Sequence, residues 1–413
     1  VYPVKKALSI LLVAVLVLSA VPAFAASKKS DTNYSLSTEG ATVLQNSEDR
    51  AIQPAAGALE LNPVIDGESP TTGMPWDTSS LYLPMLIQIS NPEGTVKVNN
   101  KKVSAAGIGE RAPWGGQYAY IVYEGILYRS GQTRITFLLS DSFVDGEPTS
   151  VGPVRSARIG HVLLREEWQG GIVYAGGPRA EENDIAAMFA QLGAGKKGVT
   201  FNLLDGNYQD YKNRIKGVKA PDNYNVNAAG IRTLVPATTV ATPHPFLFED
   251  QSPYVSDDYA QAYQINLDWG HKKYISSFKY DANDNLYYRY MDNTDKKGNI
   301  TAMAPYMTFA TAEDRSEENS EQLSFSNVII QRVSYEYTNN SKIMPVMQSV
   351  GKGNADIFIG GRYIPGYWVR ESTDSPTVFL DDQGNEIVLT RGKTFIAHFP
   401  PESLLTYSTE VTE

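Results

Sequence analysis

The sequence predicts an α+β fold in two parts: an N-terminal α/β domain with a mixed sheet over residues 61–240, then a mainly antiparallel β-rich domain over residues 241–405. Three observations carry this. Residues 135–192 alternate strand-like and helix-like patterns, and a β-α-β-α order belongs to an α/β layer. From about Phe246 onward, Pro, Gly, Asn and Asp punctuate short aromatic and β-branched runs, the pattern of antiparallel strands. The chain holds 413 residues and 25 tyrosines, enough length for two domains and a composition suited to sheet.

The first 25 residues read as a cleaved export signal. Lys5 and Lys6 precede an apolar run from Ala7 to Val21, Pro22 ends it, and Ala23-Phe24-Ala25 supplies the small-x-small cleavage pattern. That run is shorter than the ~20 residues a spanning helix needs. Leu18-Ser19-Ala20 resembles the start of a lipoprotein signal, but Val21 stands in the cysteine slot and the chain has no cysteine. The expectation is therefore an exported protein, extracellular or wall-associated, with no lipid anchor. Residues 26–60 are polar and without period, so they read as a flexible linker.

Leu83–Ser90, Tyr118–Tyr123 and Ile135–Leu139 read as strands, the last two joined through a turn at Ser130-Gly131. A loop ends in Gly152-Pro153-Val154-Arg155-Ser156-Ala157-Arg158. Ile159, Val162, Leu163 and Trp168 then follow helical spacing, and Gly170-Gly171 stops it. Ile172–Tyr174 reads as a buried strand, Gly176-Gly177-Pro178 as a loop, and Ile185, Met188, Phe189 and Leu192 as one face of a second helix. If the strands are parallel, both loops lie at one sheet edge, where such folds bind ligands. In the second half, Asp281–Asn285 and Asp381–Asn385 read as hairpin turns.

Charge and composition exclude several functions. The formal net charge is −10, and loss of the signal with its two lysines makes it −12. Such a chain is a poor candidate for nucleic-acid binding. Without cysteine there is no thiolate metal site and no thiol nucleophile. The four histidines, His161, His244, His271 and His398, are scattered, and neither His-Glu-x-x-His nor Gly-x-Ser-x-Gly occurs. No metal or other cofactor is expected. Gly193–Gly198 lacks the Gly-Lys-Ser/Thr ending of a phosphate loop.

The ordered motifs resemble the YerB-like bacterial lipoproteins (domain of unknown function 3048, N- and C-terminal domains). Gly152–Arg158 looks like that family's central motif. Asn62-Pro63 with Thr72–Pro75, Tyr123-Glu124 with Thr133-Arg134, Ala175–Gly177 and Ala220-Pro221 fall in order. Asn327–Gln331, Gly351–Gly353, Gly360, Trp368 and Gly392–Thr394 match the companion domain. The resemblance covers about Asn62 to Pro400. Asp222 departs from it, standing before Asn223 where the family has histidine. The family brings no established activity, so the resemblance implies a fold partition rather than a function.

Two constellations carry possible chemistry. Arg155, Ser156 and Arg158 stand at a predicted helix start, where N–H groups and the helix dipole favour an anion. With Arg134, Gly176, Gly177 and Asn223 they make an arginine-lined site for an anionic cell-envelope component or envelope protein, the glycines admitting backbone close to the ligand. The bland reading pairs Arg155 and Arg158 with carboxylates such as Glu124 or Asp141 and leaves Ser156 as a cap. Glu124 facing Arg134 across the hairpin is the second constellation. It is an acid–base pair for an envelope hydrolase or transferase using Arg134, Arg155 and Arg158, or a structural ion pair. An open cleft around Glu124 favours the enzyme; full burial and pairing favour non-catalytic binding.

Overall fold

The computed structural model describes residues 36–46, 48–98, 100–179, 183–271, 273–294, 300–337 and 344–411. The expected export signal of residues 1–25 lies outside them, as does the start of the expected linker.

Seventeen strands build two sheets. In chain order they are β1 (Thr42–Leu44), β2 (Met85–Ile89), β3 (Ile121–Ile126), β4 (Thr133–Leu139), β5 (Gly171–Tyr174), β6 (Thr200–Asn202), β7 (Gln264–Asp268), β8 (Ile275–Asp281), β9 (Leu286–Thr294), β10 (Ile300–Pro305), β11 (Ser324–Phe325), β12 (Asn327–Arg332), β13 (Gly351–Ile359), β14 (Arg362–Arg370), β15 (Val378–Leu380), β16 (Thr394–Phe399) and β17 (Leu405–Ser408). The helices are α1 (Ile159–Trp168), α2 (Ile185–Gln191) and the short α3 (Ala228–Arg232).

The larger sheet has ten strands in the order β15-β14-β13-β12-β16-β3-β4-β2-β5-β6. Its two halves come from the two halves of the sequence and join where β16 runs parallel to β3, Ile396 opposite Tyr123. The α+β reading therefore holds, with mostly strand and few helices, but the two sequence parts share one mixed sheet. The smaller sheet runs β1-β17-β7-β8-β9-β10, with β11 beside β9, and is antiparallel. It packs on one face of the larger sheet through aromatic contacts such as Phe278 with Phe395 and Trp269 with Phe399. On the other face, α1 seats Trp168, whose indole N–H donates to the Tyr123 hydroxyl at 3.0 Å.

One expectation is corrected, and the condition of parallel strands is not met. Within the linker of residues 26–60, the part from Leu36 onward is built into the fold. β1 pairs with β17, and Arg50 reaches the backbone of Ala355 and Gly366 and the carboxylate of Asp356. Polar composition hid this, because the segment gains its order from the β-rich half rather than from a core of its own. The strands around α1 are also not all parallel. β2 intervenes, antiparallel to β4 and parallel to β5, so β4 and β5 run in opposite directions. The loops after them nevertheless converge, because residues 140–158 travel back along the sheet. Val154 bridges Ile89, the Arg155 N–H donates to the Gln88 carbonyl, and Ala157 N–H donates to the Gly176 carbonyl.

Candidate anion site on the helix face of the sheet

Strand pairing decides where each predicted residue points. β3 and β4 are antiparallel with Glu124 opposite Ile135 and Arg134 opposite Gly125. Directly opposed residues share a face and successive residues alternate. Glu124 therefore points toward the smaller sheet and Arg134 toward α1. The expected Glu124–Arg134 pair does not form.

Glu124 is completely buried. Its Oε1 accepts from Thr133 Oγ1 at 2.6 Å and Asn91 Nδ2 at 3.2 Å, and its Oε2 accepts from Ser276 Oγ at 3.0 Å and Arg289 Nη2 at 2.7 Å. The Arg289 guanidinium, equally buried, lies 3.9 Å from the Tyr306 ring centroid. Four donors and one full counter-charge satisfy this carboxylate, and no cleft reaches it among the described residues. It is a structural centre between the sheets, not a general acid or base.

The opposite face is different. Among the described residues of the whole fold, six arginines are buried: Arg134, Arg158, Arg165, Arg289, Arg332 and Arg370. Arg165, Arg289, Arg332 and Arg370 pair with Glu166, Glu124, Asp356 and Glu167. Arg134 and Arg158, on the α1 side, have no carboxylate partner among the described residues. Arg134 is 3% exposed; its guanidinium makes no hydrogen bond among the described residues, and its buried Nε has no acceptor. The Arg158 guanidinium donates, among the described residues, to the Ala157 carbonyl at 2.9 Å and the Tyr128 hydroxyl at 3.3 Å, and its Nε is unpartnered. Burial, with the nearby Arg158 and Arg155 charges adding to it, pushes Arg134 down to about 9. Burial lowers Arg158 as well. An ionised group taken from water without a counter-charge costs several kcal/mol.

The start of α1 compounds this imbalance. Arg158 is the N-cap, a position where the helix dipole disfavours a cation. His161, three residues on, accepts the Arg158 N–H at its Nδ1, 2.9 Å away, taking the part a glutamate plays in a capping box. Burial, then Arg134 and Arg158, hold His161 well below the ordinary imidazole range, so it stays neutral. The helix start and the guanidinium groups thus set positive charge side by side.

Arg155 lies at the rim, about a quarter exposed. Its Nη1 is 3.1 Å from Asp222 Oδ1, which also accepts from Ser90 Oγ at 2.6 Å. The bland reading is thus met for Arg155, by Asp222 rather than Glu124 or Asp141, and is not met for Arg158. Ser156 neither caps the helix nor stands free; its Oγ donates to the Ala175 carbonyl at 3.0 Å. The glycines serve packing. A Cβ on Gly177 would lie 2.1 Å from Ile185 Cδ1, and one on Gly176, at φ +80°, 2.8 Å from Leu204 Cδ1. Asn223 is turned to other work, its Oδ1 accepting from Arg214 Nη1 at 2.6 Å. The structure therefore brings together Arg134, Arg155 and Arg158 and removes Ser156, Gly176, Gly177 and Asn223 from direct roles. Asp222, Tyr128 and His161 complete the cluster. His161 had a usable sequence signal in its place three residues after the N-cap, and Asp222 stood out as the departure from the family pattern, whereas Tyr128 had none.

No group of three or more His, Asp or Glu side chains suited to a metal occurs among the described residues. No curated protein matches the chain. The crystal structure of YerB from Bacillus subtilis is similar in fold, with a TM-score of 0.57 at 22% identity, covering 81% of this chain and 96% of that one. Residues 87–241 match the N-terminal domain, and residues 265–396 the C-terminal domain, of the protein of unknown function described as DUF3048. Both domains occur in the family's order and meet in one sheet, so the chain belongs to the YerB-like DUF3048 family.

Proposed function

We propose that this is an exported, non-catalytic binding protein of the bacterial cell envelope, whose Arg134–Arg155–Arg158 cluster takes an anionic group of an envelope component or partner protein. The observation that supports it most is Arg134, a buried guanidinium with no acceptor in a fold that pairs Arg165, Arg289, Arg332 and Arg370 with carboxylates. A fold that places a lone cation beside a second one, at a helix start, gains most from an anion that arrives as ligand. The hydrolase reading loses its acid, because Glu124 is committed to Arg289, Thr133, Asn91 and Ser276.

The test is capture of envelope fractions by the chain and by a variant with Arg155 and Arg158 both changed to methionine. Loss of capture with a folded variant supports the proposal. Unchanged capture with lowered thermal stability contradicts it. Release from the membrane is part of the same proposal. Intact mass spectrometry of the secreted protein is expected to give an unmodified amino terminus at Ala26, and an uncut or lipid-bearing terminus would end that part.

A further inference from the structure

The cluster holds an internal carboxylate whose position limits the kind of anion it accepts. Asp222 gives its Oδ1 to Ser90 and Arg155, while its Oδ2 has no hydrogen-bond partner within the described structure. The side chain is about one-fifth exposed, so it stands at the entrance rather than in the core. Its charge is felt at Arg134, so the carboxylate and the unpartnered guanidinium share one electrostatic neighbourhood. An anion seated beside Arg155, in the neighbourhood of Arg134, would meet that guanidinium and, at Asp222 Oδ2, an acceptor with no protein partner among the described residues. Guanidinium groups satisfy any oxyanion. A carboxylate oxygen repels an oxyanion unless that oxyanion offers it a proton.

Resting on the anion-site reading above, we propose that the site selects an oxyanion that carries a proton, and that Asp222 is the specificity-determining residue that accepts the hydrogen bond from it. Inorganic phosphate is such an anion at neutral pH. A phosphomonoester carries that proton only on the acid side of its second ionisation near pH 6. Sulfate carries none. Three guanidinium groups and one carboxylate leave a surplus of two positive charges, which hydrogen phosphate neutralises. Asp222 stands at the entrance, so the discrimination comes from charge and from the one hydrogen bond the proton supplies.

Calorimetric titration of the full chain with inorganic phosphate, methyl phosphate and sulfate tests this, alongside Asp222→Asn, Asp222→Ser, Arg134→Met and Arg155→Met. Asp222 is partly exposed, and circular dichroism checks that its variants fold. The expected result is binding of phosphate at least about tenfold tighter than sulfate, and loss of that ratio in both Asp222 variants. Methyl phosphate is expected to approach phosphate at pH 5.5 and to fall toward sulfate at pH 8. If the monoester matches phosphate at pH 8, the proton is not what Asp222 reads and the inference fails. If phosphate and sulfate bind the wild type equally and the arginine variants lose both, the inference is overturned while the anion site stands. If no ion binds, or the arginine variants bind as the wild type does, the site reading falls with it.

Discussion

The two faces of the β3–β4 hairpin treat a buried charge in opposite ways. On the face toward the smaller sheet, Glu124 meets Arg289 at 2.7 Å and three further donors, and both charges are wholly removed from water. On the face toward α1, Arg134 is almost as deeply buried and its side chain meets no acceptor among the described residues, with Arg158, Arg155 and, more weakly, Asp222 as its charged neighbours. One centre is complete in the folded chain. The other has no carboxylate among the described residues. The difference separates a charge that joins two sheets from a charge that the described fold leaves without a counter-ion.

Breaking the complete centre has the largest expected effect. Glu124→Ala leaves Arg289 buried without its counter-charge, and denaturant unfolding is expected to show a loss of about 3–5 kcal/mol. Restoring stability by adding Arg289→Met would confirm that the orphaned charge, not a lost cavity contact, causes it. At the incomplete centre the sign reverses. Arg134→Met removes an unpaired buried charge and its repulsion with Arg158, so unfolding free energy is expected to hold or rise by roughly 1–3 kcal/mol.

Glu386 sharpens the comparison as an acidic counterpart of Arg134. It accepts from Asn62 Nδ2 at 2.7 Å but has no cation beside it, and burial raises it to about 7. Its folded-state proton affinity exceeds that of the unfolded chain, whose glutamate titrates near 4.3. This contribution is fully present below that value and is lost as pH rises through about 7. Equilibrium unfolding between pH 5 and 8 is expected to lose roughly 1–2 kcal/mol from this group, allowing for its partial contact with water, and Glu386→Gln is expected to flatten the profile. The smallest effect belongs to Arg50, about a quarter exposed against Asp356. Arg50→Ala is expected to cost about 1 kcal/mol and to make the segment around residues 42–50 exchange its amide hydrogens faster.

Much of this was legible in the sequence where the signal is local. The β3–β4 hairpin, α1 with its stop at Gly170-Gly171, β5 and α2 all follow from apolar period and turn residues. The turn at Asp281–Asn285 joins β8 to β9, Asn283 N–H donating to Asp281 Oδ1 at 2.8 Å. Register was not legible. A shift of one residue turns a side chain to the other face, and nothing in Tyr123-Glu124 or Thr133-Arg134 states which register the strands take. Long-range partners were equally hidden. Glu124 finds Arg289 165 positions away, and Asp222 reaches Ser90 across 132. Of the proposed site, the arginines were visible as a motif, whereas their lack of carboxylates is a property of the assembled fold. β1 escaped because three residues added to a sheet edge leave almost no pattern of their own.

The central claim is that Arg134 is held for a ligand rather than for the fold. Thermal unfolding of the wild-type chain and Arg134→Met, each with and without inorganic phosphate, tests it most directly. The account predicts that the variant alone melts no lower than the wild type, and that phosphate raises the wild-type midpoint but not the variant's. A variant that melts lower without phosphate, with both proteins responding equally to the ion, would contradict it.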